Sequence, residues 1–263
     1  MERNLKMVLK NKKILIMGIR NKWSIAWGSA MSAYENGAEE IIVTYNGKEN
    51  KEKVEQLISK IPNSKAYECN VSNDEDIEKC FNEILNIHGK IDGILHCIAH
   101  ANAQDLRNDF IKTSRQGFSH ALDVSTYSLM AVSRIAMKNN MLNEKASIVS
   151  LTYYGAEKSI EGYNIMGVAK AGLETSIKYL AKDLGKEKIR INAISAGPIK
   201  TLSAKGIKDF NSILDIVEKR APLHENVTTK QVGDSVTFLF SDMSEAITGE
   251  VIHVDNGFST VGV

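Results

Sequence analysis

Seven short runs of apolar and β-branched residues recur along the chain, and helical spacing fills most of the stretches between them. That alternation leaves few architectures open. The runs are Lys13–Met17, Glu40–Tyr45, Lys65–Cys69, Gly93–Ile98, Ala146–Leu151, Ile189–Ala193 and Gly249–Val254. Strands this apolar are buried on both faces, and strand–helix alternation gives a parallel sheet covered on each side. The expected fold is α/β: a single Rossmann-type, doubly wound, seven-stranded parallel sheet made of two βαβαβ halves and one added strand. No linker, internal repeat or low-complexity run interrupts the 263 residues, so residues 1–263 read as one domain. Ligands of such sheets bind outside the carboxyl ends of the strands. The crevice is therefore expected above Gly18, Ile98, Leu151 and Ala193.

The segments between the runs carry start and stop signals. Ser24 suits a helix N-cap, with Asn36-Gly37 as the stop. A helix is expected from about Glu49 to Lys60. Asn73-Asp-Glu-Asp opens another, with Ile77, Phe81 and Ile84 on one face and Gly89 at its end. Phe118 to Met137 reads as one long helix, and Thr228/Thr229 to Phe240 as the last. Asn102 to Thr113 is polar and irregular, the length of a functional loop. Leu202 to Pro222 follows a strand's carboxyl end without a strand signal of its own and reads as a helical lid, with a plain surface insertion as the alternative.

Around the expected crevice, strand, glycine loop and helix N-terminus (Gly18, Ser24, Ile25) form a place for an anion, because backbone N–H groups and the helix dipole face it. The spacing is not GxGxxG, so the motif alone is weak. After the second strand the chain offers Tyr45-Asn46-Gly47-Lys48, with no acid at the position that often binds an adenosine 2′-hydroxyl. A 2′-phosphate is therefore not excluded.

Ser150 to Lys170 carries the chemistry. It leaves the fifth strand with Tyr153, Tyr154, Tyr163 and Lys170. Placed on one helix, Tyr163 and Lys170 would differ by roughly 20° in azimuth and about 10 Å in height, sharing a face around a ligand. Spacing does not decide it, since Tyr179 and Lys186 match. Tyr154-x3-Lys158 is a rival pair, disfavoured because Tyr154 stands before any helix begins. His96, inside a strand, reads as a core histidine; His100, at that strand's end, is a candidate pocket residue.

Composition narrows the partners. A formal charge of +1 supplies no global field for nucleic acid or an anionic membrane. No apolar run nears the roughly 20 residues of a membrane span, and no signal-peptide core precedes the first strand. Cys69, Cys80 and Cys97 are odd in number and form no CxxC, which fits reduced, buried thiols. A cytoplasmic protein is expected, with no membrane or nucleic-acid partner. The six histidines show no ligand spacing, so no metal is expected.

Gly18-x5-Ser-Ile-Ala-x-Gly28, Ser195-Ala-Gly-Pro-Ile-Lys-Thr201-Leu and Gly249-Glu-Val-Ile-His-Val-Asp255 together resemble the short-chain dehydrogenase/reductase superfamily. Tyr-x6-Lys and Tyr153-Tyr-Gly-Ala-Glu narrow the resemblance to the bacterial enoyl-acyl-carrier-protein reductases of dissociated fatty-acid synthesis, from about residue 9 to 260. The resemblance implies reduction of the C2=C3 bond of trans-2-enoyl thioesters with hydride from NADH, NADPH remaining open. It makes Tyr163 the hydrogen-bond donor to the thioester carbonyl, Lys170 the holder of the nicotinamide ribose and Tyr153 a supporting residue. It assigns Ala101, Tyr153 and Tyr163 to substrate. It gives the cofactor Gly18, Ser24, Ile25, Asn46, Asn70, Val71, Ile98, Lys170, Ile199, Lys200, Thr201, Leu202 and Ser203. An acidic acyl-carrier protein is the implied partner, meeting Lys205 and Lys208 near the lid, and a homotetramer is the implied assembly. Asn70 stands where the family usually has Asp, Ala99 where it has Gly, and His100 where an apolar or aromatic residue is common. Asn211 and Ser212 stand where further basic residues are usual. A carbonyl reductase on the same fold and a non-enzymatic dinucleotide sensor are the other readings.

Overall fold

The computed structural model describes residues 7–201 and 210–261. In chain order it runs β1 (Lys13–Met17), α1 (Ile25–Glu35), β2 (Glu40–Tyr45), α2 (Lys51–Ile58), β3 (Ser64–Glu68), α3 (Asp74–His88), β4 (Ile91–His96) and α4 (Ala103–Arg107). It continues through α5 (Arg115–Leu122), α6 (Ser128–Lys138), β5 (Leu142–Thr152), α7 (Ile165–Leu184), β6 (Arg190–Ala196), α8 (Phe210–Arg220), α9 (Thr229–Phe240) and β7 (Val251–Val254). The seven strands form one sheet in the order β3-β2-β1-β4-β5-β6-β7, every pairing parallel. The expected sheet is the one observed. The chain winds outward from β1 to β3, then returns to place β4 on the other side of β1. The switch point between β1 and β4 opens a crevice at their carboxyl ends.

Side-chain alternation along each strand feeds two cores. On one face Leu15, Met17, Ile94 and Ile148 pack against Ile77, Phe81 and Ile84 of α3, Leu129 and Val132 of α6, and Leu173 and Ile177 of α7. On the other, Ile14, Ile16, Val43, Leu95 and Val149 meet Ala26 and Ala30 of α1, Val54 and Ile58 of α2, and Val232 and Val236 of α9. The helix caps follow their sequence signals. Ser24 Oγ accepts Trp27 N at 3.1 Å and Asn73 Oδ1 accepts Asp76 N at 3.0 Å. Thr228 and Gln231 form a capping box at α9. Each satisfies a backbone N–H that the first helical turn leaves without a partner.

Three expectations need correcting. The long helix over 118–137 is two helices, α5 and α6, joined by a π-helical stretch at Asp123–Tyr127. One extra residue in that turn shifts the apolar stripe without breaking it, so periodicity reads straight through. Asn102 to Thr113 is not irregular throughout: it holds α4 and a 3₁₀ turn at Phe110–Lys112. Tyr163 is not on the helix with Lys170, because α7 begins at Ile165. Asn164, with φ 40° and ψ −118°, turns the chain between them. The azimuth-and-height comparison of Tyr163 with Lys170 therefore does not apply. Of the expected lid, residues 210–220 are α8, and 202–209, including Leu202, Ser203, Lys205 and Lys208, lie outside the described residues.

Candidate active site

The carboxyl end of β1 brings Gly18 against β4. Gly18 has φ 91°, and a side chain there would overlap the carbonyl oxygen of Cys97 while crowding Ile98. Only glycine combines that backbone with that approach. The start of α1 faces the same crevice with Ser24 spent on its cap and Ile25 packed into the core. A short glycine turn, a helix N-terminus and a neighbouring strand end make the cradle an anionic dinucleotide needs. The other expected cofactor positions fall at successive strand ends. Asn46 follows β2, Asn70 and Val71 follow β3, and Ile199, Lys200 and Thr201 follow β6. Asn70 Oδ1 accepts Ser72 N at 3.1 Å, so the amide that replaces the usual carboxylate already shapes its own turn.

One feature near β2 departs from the sequence reading. Glu49 folds its carboxylate back over Gly47, where any side chain would overlap it, and Asn50 Nδ2 donates to Glu49 Oε1 at 3.2 Å. An acid therefore does stand near the end of β2, four positions beyond its last residue Tyr45.

At the end of β5, Lys170 reaches from the second turn of α7 into the sheet. It is 4% exposed and donates to the Leu151 carbonyl oxygen at 2.7 Å. Burial lowers its pKa to about 8, with Cys97 and Glu174 acting in the opposite sense. Glu174, one turn further along α7, accepts Thr152 Oγ1 at 2.6 Å. Burial raises its carboxyl above the usual range, and that hydrogen bond opposes the rise. Glu174 was missed from the sequence, although its position four residues after Lys170 puts it on the same helix face.

The tyrosines meet edge to face. The rings of Tyr153 and Tyr163 have centroids 4.8 Å apart at 71°. Gly155 makes this possible, because a side chain there would overlap the Tyr163 ring. Burial pushes Tyr153 up to about 12; burial, then Tyr153 and Glu174, raise Tyr163. Both phenols therefore keep their protons at neutral pH and are able to donate a hydrogen bond. Ala101 packs with Tyr163 on a small apolar cluster of Leu106, Ala121, Ile165 and Met166. The three expected substrate residues are thus brought together.

The histidines separate as their positions implied. His96 is fully buried, with Nε2 2.8 Å from Ser128 Oγ and Nδ1 3.3 Å from Ser150 Oγ. Burial and then Lys170 hold its pKa down to about 3, so it stays a neutral core residue. His100 stands beside the crevice, its Nδ1 2.7 Å from Nε2 of His120. Burial, then His120 and Arg20, lower its pKa. Ser125, in the π-helical stretch, accepts His100 N at 3.0 Å and donates to His100 O at 3.1 Å. His120 escaped the sequence reading because it lies away from any strand end, while Ser125 belongs to the run Ser125-Thr-Tyr-Ser128 that is part of the family resemblance, with no role given to it there. The decoys resolve as well. Tyr179 is 70% exposed and Lys186 pairs with Asp183 at 3.6 Å. Tyr154 turns its ring onto Phe258, with centroids 5.9 Å apart, and Lys158 is exposed. Among the described residues no group of three or more His, Cys, Asp or Glu side chains could hold a metal.

A doubly wound sheet with a glycine cradle at its switch point, a buried lysine and a neighbouring tyrosine defines a dinucleotide-dependent oxidoreductase of the short-chain dehydrogenase/reductase type. Comparison with known proteins sharpens that class. The family model described as "Enoyl-(Acyl carrier protein) reductase" matches residues 18–259. The NADH enoyl-[acyl-carrier-protein] reductase FabI of Bacillus subtilis is 52% identical, over 95% of this chain and 96% of its own. The NADPH enzyme FabI of Staphylococcus aureus is 48% identical, over 96% of this chain and 98% of its own. The crystal structure of the Bacillus cereus enoyl-acyl carrier protein reductase with NADP+ and indole naphthyridinone superposes with a TM-score of 0.94. It is 48% identical and covers 97% of this chain and 99% of that one. The chain belongs to the enoyl-acyl-carrier-protein reductase family.

Proposed function

We propose that this enzyme reduces trans-2-enoyl-acyl-carrier-protein thioesters in fatty-acid elongation, with Tyr163 as hydrogen-bond donor to the thioester carbonyl and Lys170 as the cofactor's ribose anchor. The observation that carries the assignment is a lysine buried against the Leu151 carbonyl at the carboxyl end of β5, with the edge-to-face pair Tyr153 and Tyr163 in the segment that leaves that strand. Reduced nicotinamide, when bound, supplies the hydride for C3 of the enoyl group. Negative charge then develops on the thioester oxygen as an enolate forms, and C2 is protonated afterwards. The raised pKa of Tyr163 keeps its hydroxyl a donor at the moment that charge appears, an interaction made chiefly in the transition state. Tyr153, stacked edge-on, fixes the Tyr163 ring. Lys170 carries three protons and donates one to Leu151 O, leaving two for ribose hydroxyls.

Gly18, Ser24, Ile25, Asn46, Asn70, Val71, Ile98 and residues 199–203 would line the remainder of the cofactor, and the segment over 202–222 would close on the acyl chain. The Glu49 carboxylate by the end of β2 supports NADH, since a carboxylate there would accept from a 2′-hydroxyl and repel a 2′-phosphate. Replacing it, Glu49→Gln, should narrow the preference for NADH over NADPH; an unchanged ratio removes Glu49 from the choice. The acidic carrier protein would approach over the mouth of the crevice near α8, where Asn211 and Ser212 are exposed and uncharged. A homotetramer is supported by exposed apolar side chains along α6 and α7. No helix among the described residues is long and apolar enough to cross a membrane, and a cytoplasmic location fits that.

Oxidation of NADH and NADPH with crotonoyl thioester, set beside a 3-ketoacyl thioester, tests the activity directly. Preference for the ketone would overturn it. Tyr163→Phe should lower kcat by roughly 100-fold or more, the usual loss for one oxyanion donor, with cofactor affinity kept.

A further inference from the structure

The chain reverses at Asn164, directly after Tyr163 and directly before α7. A φ of 40° with ψ −118° is a conformation that side-chain-bearing residues rarely adopt, and such residues persist only where their surroundings hold them. Here the surroundings are visible. Asn164 Nδ2 donates to the Asn108 carbonyl oxygen at 2.7 Å and to that of Leu106 at 3.0 Å, with that of Asp105 at 3.5 Å. Those carbonyls belong to α4 and its end, in the loop that leaves β4. The same loop is closed from within. Asp105 is buried and accepts Ser114 N at 2.9 Å. The reversal also fixes Tyr163, whose carbonyl accepts Met166 N at 2.9 Å while Gly167 N takes the Asn164 carbonyl at 2.9 Å.

Two features thus converge on one amide: a strained backbone that turns Tyr163 out of the helix, and a donor that grips the far wall of the crevice. Neither is needed to build α7, which any ordinary N-cap would start. We infer that Asn164 is a positioning residue for the reduction. It holds the Tyr163 hydroxyl in register with the loop of residues 102–113, so that the phenol and the wall carrying Ala101 meet the enoyl group together. The inference rests on the proposed role of Tyr163. A rigid turn of this kind has a kinetic rather than an affinity signature, because a donor misplaced by about 1 Å can cost 100-fold in turnover.

The experiment is a double-mutant cycle on the full-length enzyme with crotonoyl thioester, comparing Asn164→Gly and Asn164→Asp, each alone and with Tyr163→Phe. Glycine accepts the backbone angles and drops only the grip. Aspartate keeps the shape and turns a donor into an acceptor facing three carbonyls. Both single variants should lose at least 10-fold in kcat, with KM for the thioester changed less than threefold. The NADH dissociation constant, read from cofactor fluorescence, should change less than twofold. In the Tyr163→Phe background the same changes should cost less than twofold further, since a residue acting through Tyr163 has nothing left to position. Full multiplicative loss in both backgrounds overturns the inference. So does loss of NADH binding together with the cooperative melt in both variants, which makes Asn164 a folding residue alone. If Tyr163→Phe itself leaves kcat unchanged, the reading of Tyr163 fails first and the inference falls with it.

Discussion

Lys170 and His96 face each other's fields at the end of β4 and β5, and burial decides the charge on each. Lys170 has a native pKa of about 8 against an ordinary 10.5. The folded protein therefore binds fewer protons than the unfolded chain between those values, and stability rises with pH through that window. Below pH 8 the full cost of burying the ammonium remains, roughly 3 kcal/mol at 1.36 kcal/mol per pK unit. Lys170→Met should accordingly raise the stability of the apoprotein by up to that amount at pH 7 and abolish the rise between pH 8 and 10.5, read by urea denaturation. The same titration should weaken NADH binding to the wild type as pH rises through about 8, because the neutral amine loses its charge and one donor. Affinity flat from pH 7 to 9 would take Lys170 out of ribose binding. His96 acts in the same direction at lower pH. Its pKa of about 3 against 6.5 gives stability that is fully present above pH 6.5 and is lost as pH falls toward 3. The loss should reach about 2 kcal/mol by pH 5, and His96→Gln should flatten it in denaturation curves taken from pH 7 to 5.

Elements show where the sequence was legible and where it was not. The strands and the caps of α1, α3 and α9 were readable because apolar period, Ser, Asn or Thr caps and stop residues are local signals. The break of the expected 118–137 helix was not, since a π-helical turn keeps its apolar side chains nearly in phase. The turn at Asn164 left a faint trace: Gly162 and Asn164 flank Tyr163, and both are residues that tolerate positive φ. Chemistry at long range left none. That the π-helical stretch would set Ser125 against both backbone groups of His100 depends on a contact 25 residues apart. Extra turns of this type gather at functional sites, and here the insertion holds the end of β4 in place. Ser125→Ala would leave the amide and carbonyl of His100 without that partner. The cost should be about 1–3 kcal/mol of stability, measured by chemical denaturation, together with a higher KM for enoyl thioester. Stability within about 0.5 kcal/mol of wild type would mean that water replaces the hydroxyl at no cost.

On the scale of the whole molecule, each face of the sheet is covered by helices that pack into a buried core. The helices against the α3–α6–α7 face bury Leu129, Val132, Leu173 and Ile177, yet several apolar side chains on or beside α6 and α7 also face outward among charged ones. Tyr127, Met130, Val168 and Tyr179 are exposed at 41%, 42%, 37% and 70%. Thr126 Oγ1 donates to the Ala169 carbonyl oxygen at 2.7 Å, tying the π-helical stretch that leads into α6 to α7. Exposed apolar residues scattered singly are ordinary, but a set shared by two joined helices is the material of a contact between copies. A two-fold contact across α6 and α7 would make a dimer, and a second two-fold contact would make the proposed tetramer. The proposed assembly would tie to the proposed chemistry. α7 carries Lys170 and Glu174 on its inner side, so a second copy packed on its outer side would stiffen the helix on which the proposed cofactor anchor stands. Met130→Lys combined with Val168→Glu should therefore lower the mass found by sedimentation from about four times 29.1 kDa toward two or one. The same variant should lose thermal stability in a concentration-dependent way, as obligate assemblies do. Its NADH affinity should fall with the mass, since Lys170 would then stand on a helix free to move. A wild-type mass of one chain at micromolar concentration would sink the assembly outright, and an unchanged mass in the variant would move the contact off α6 and α7.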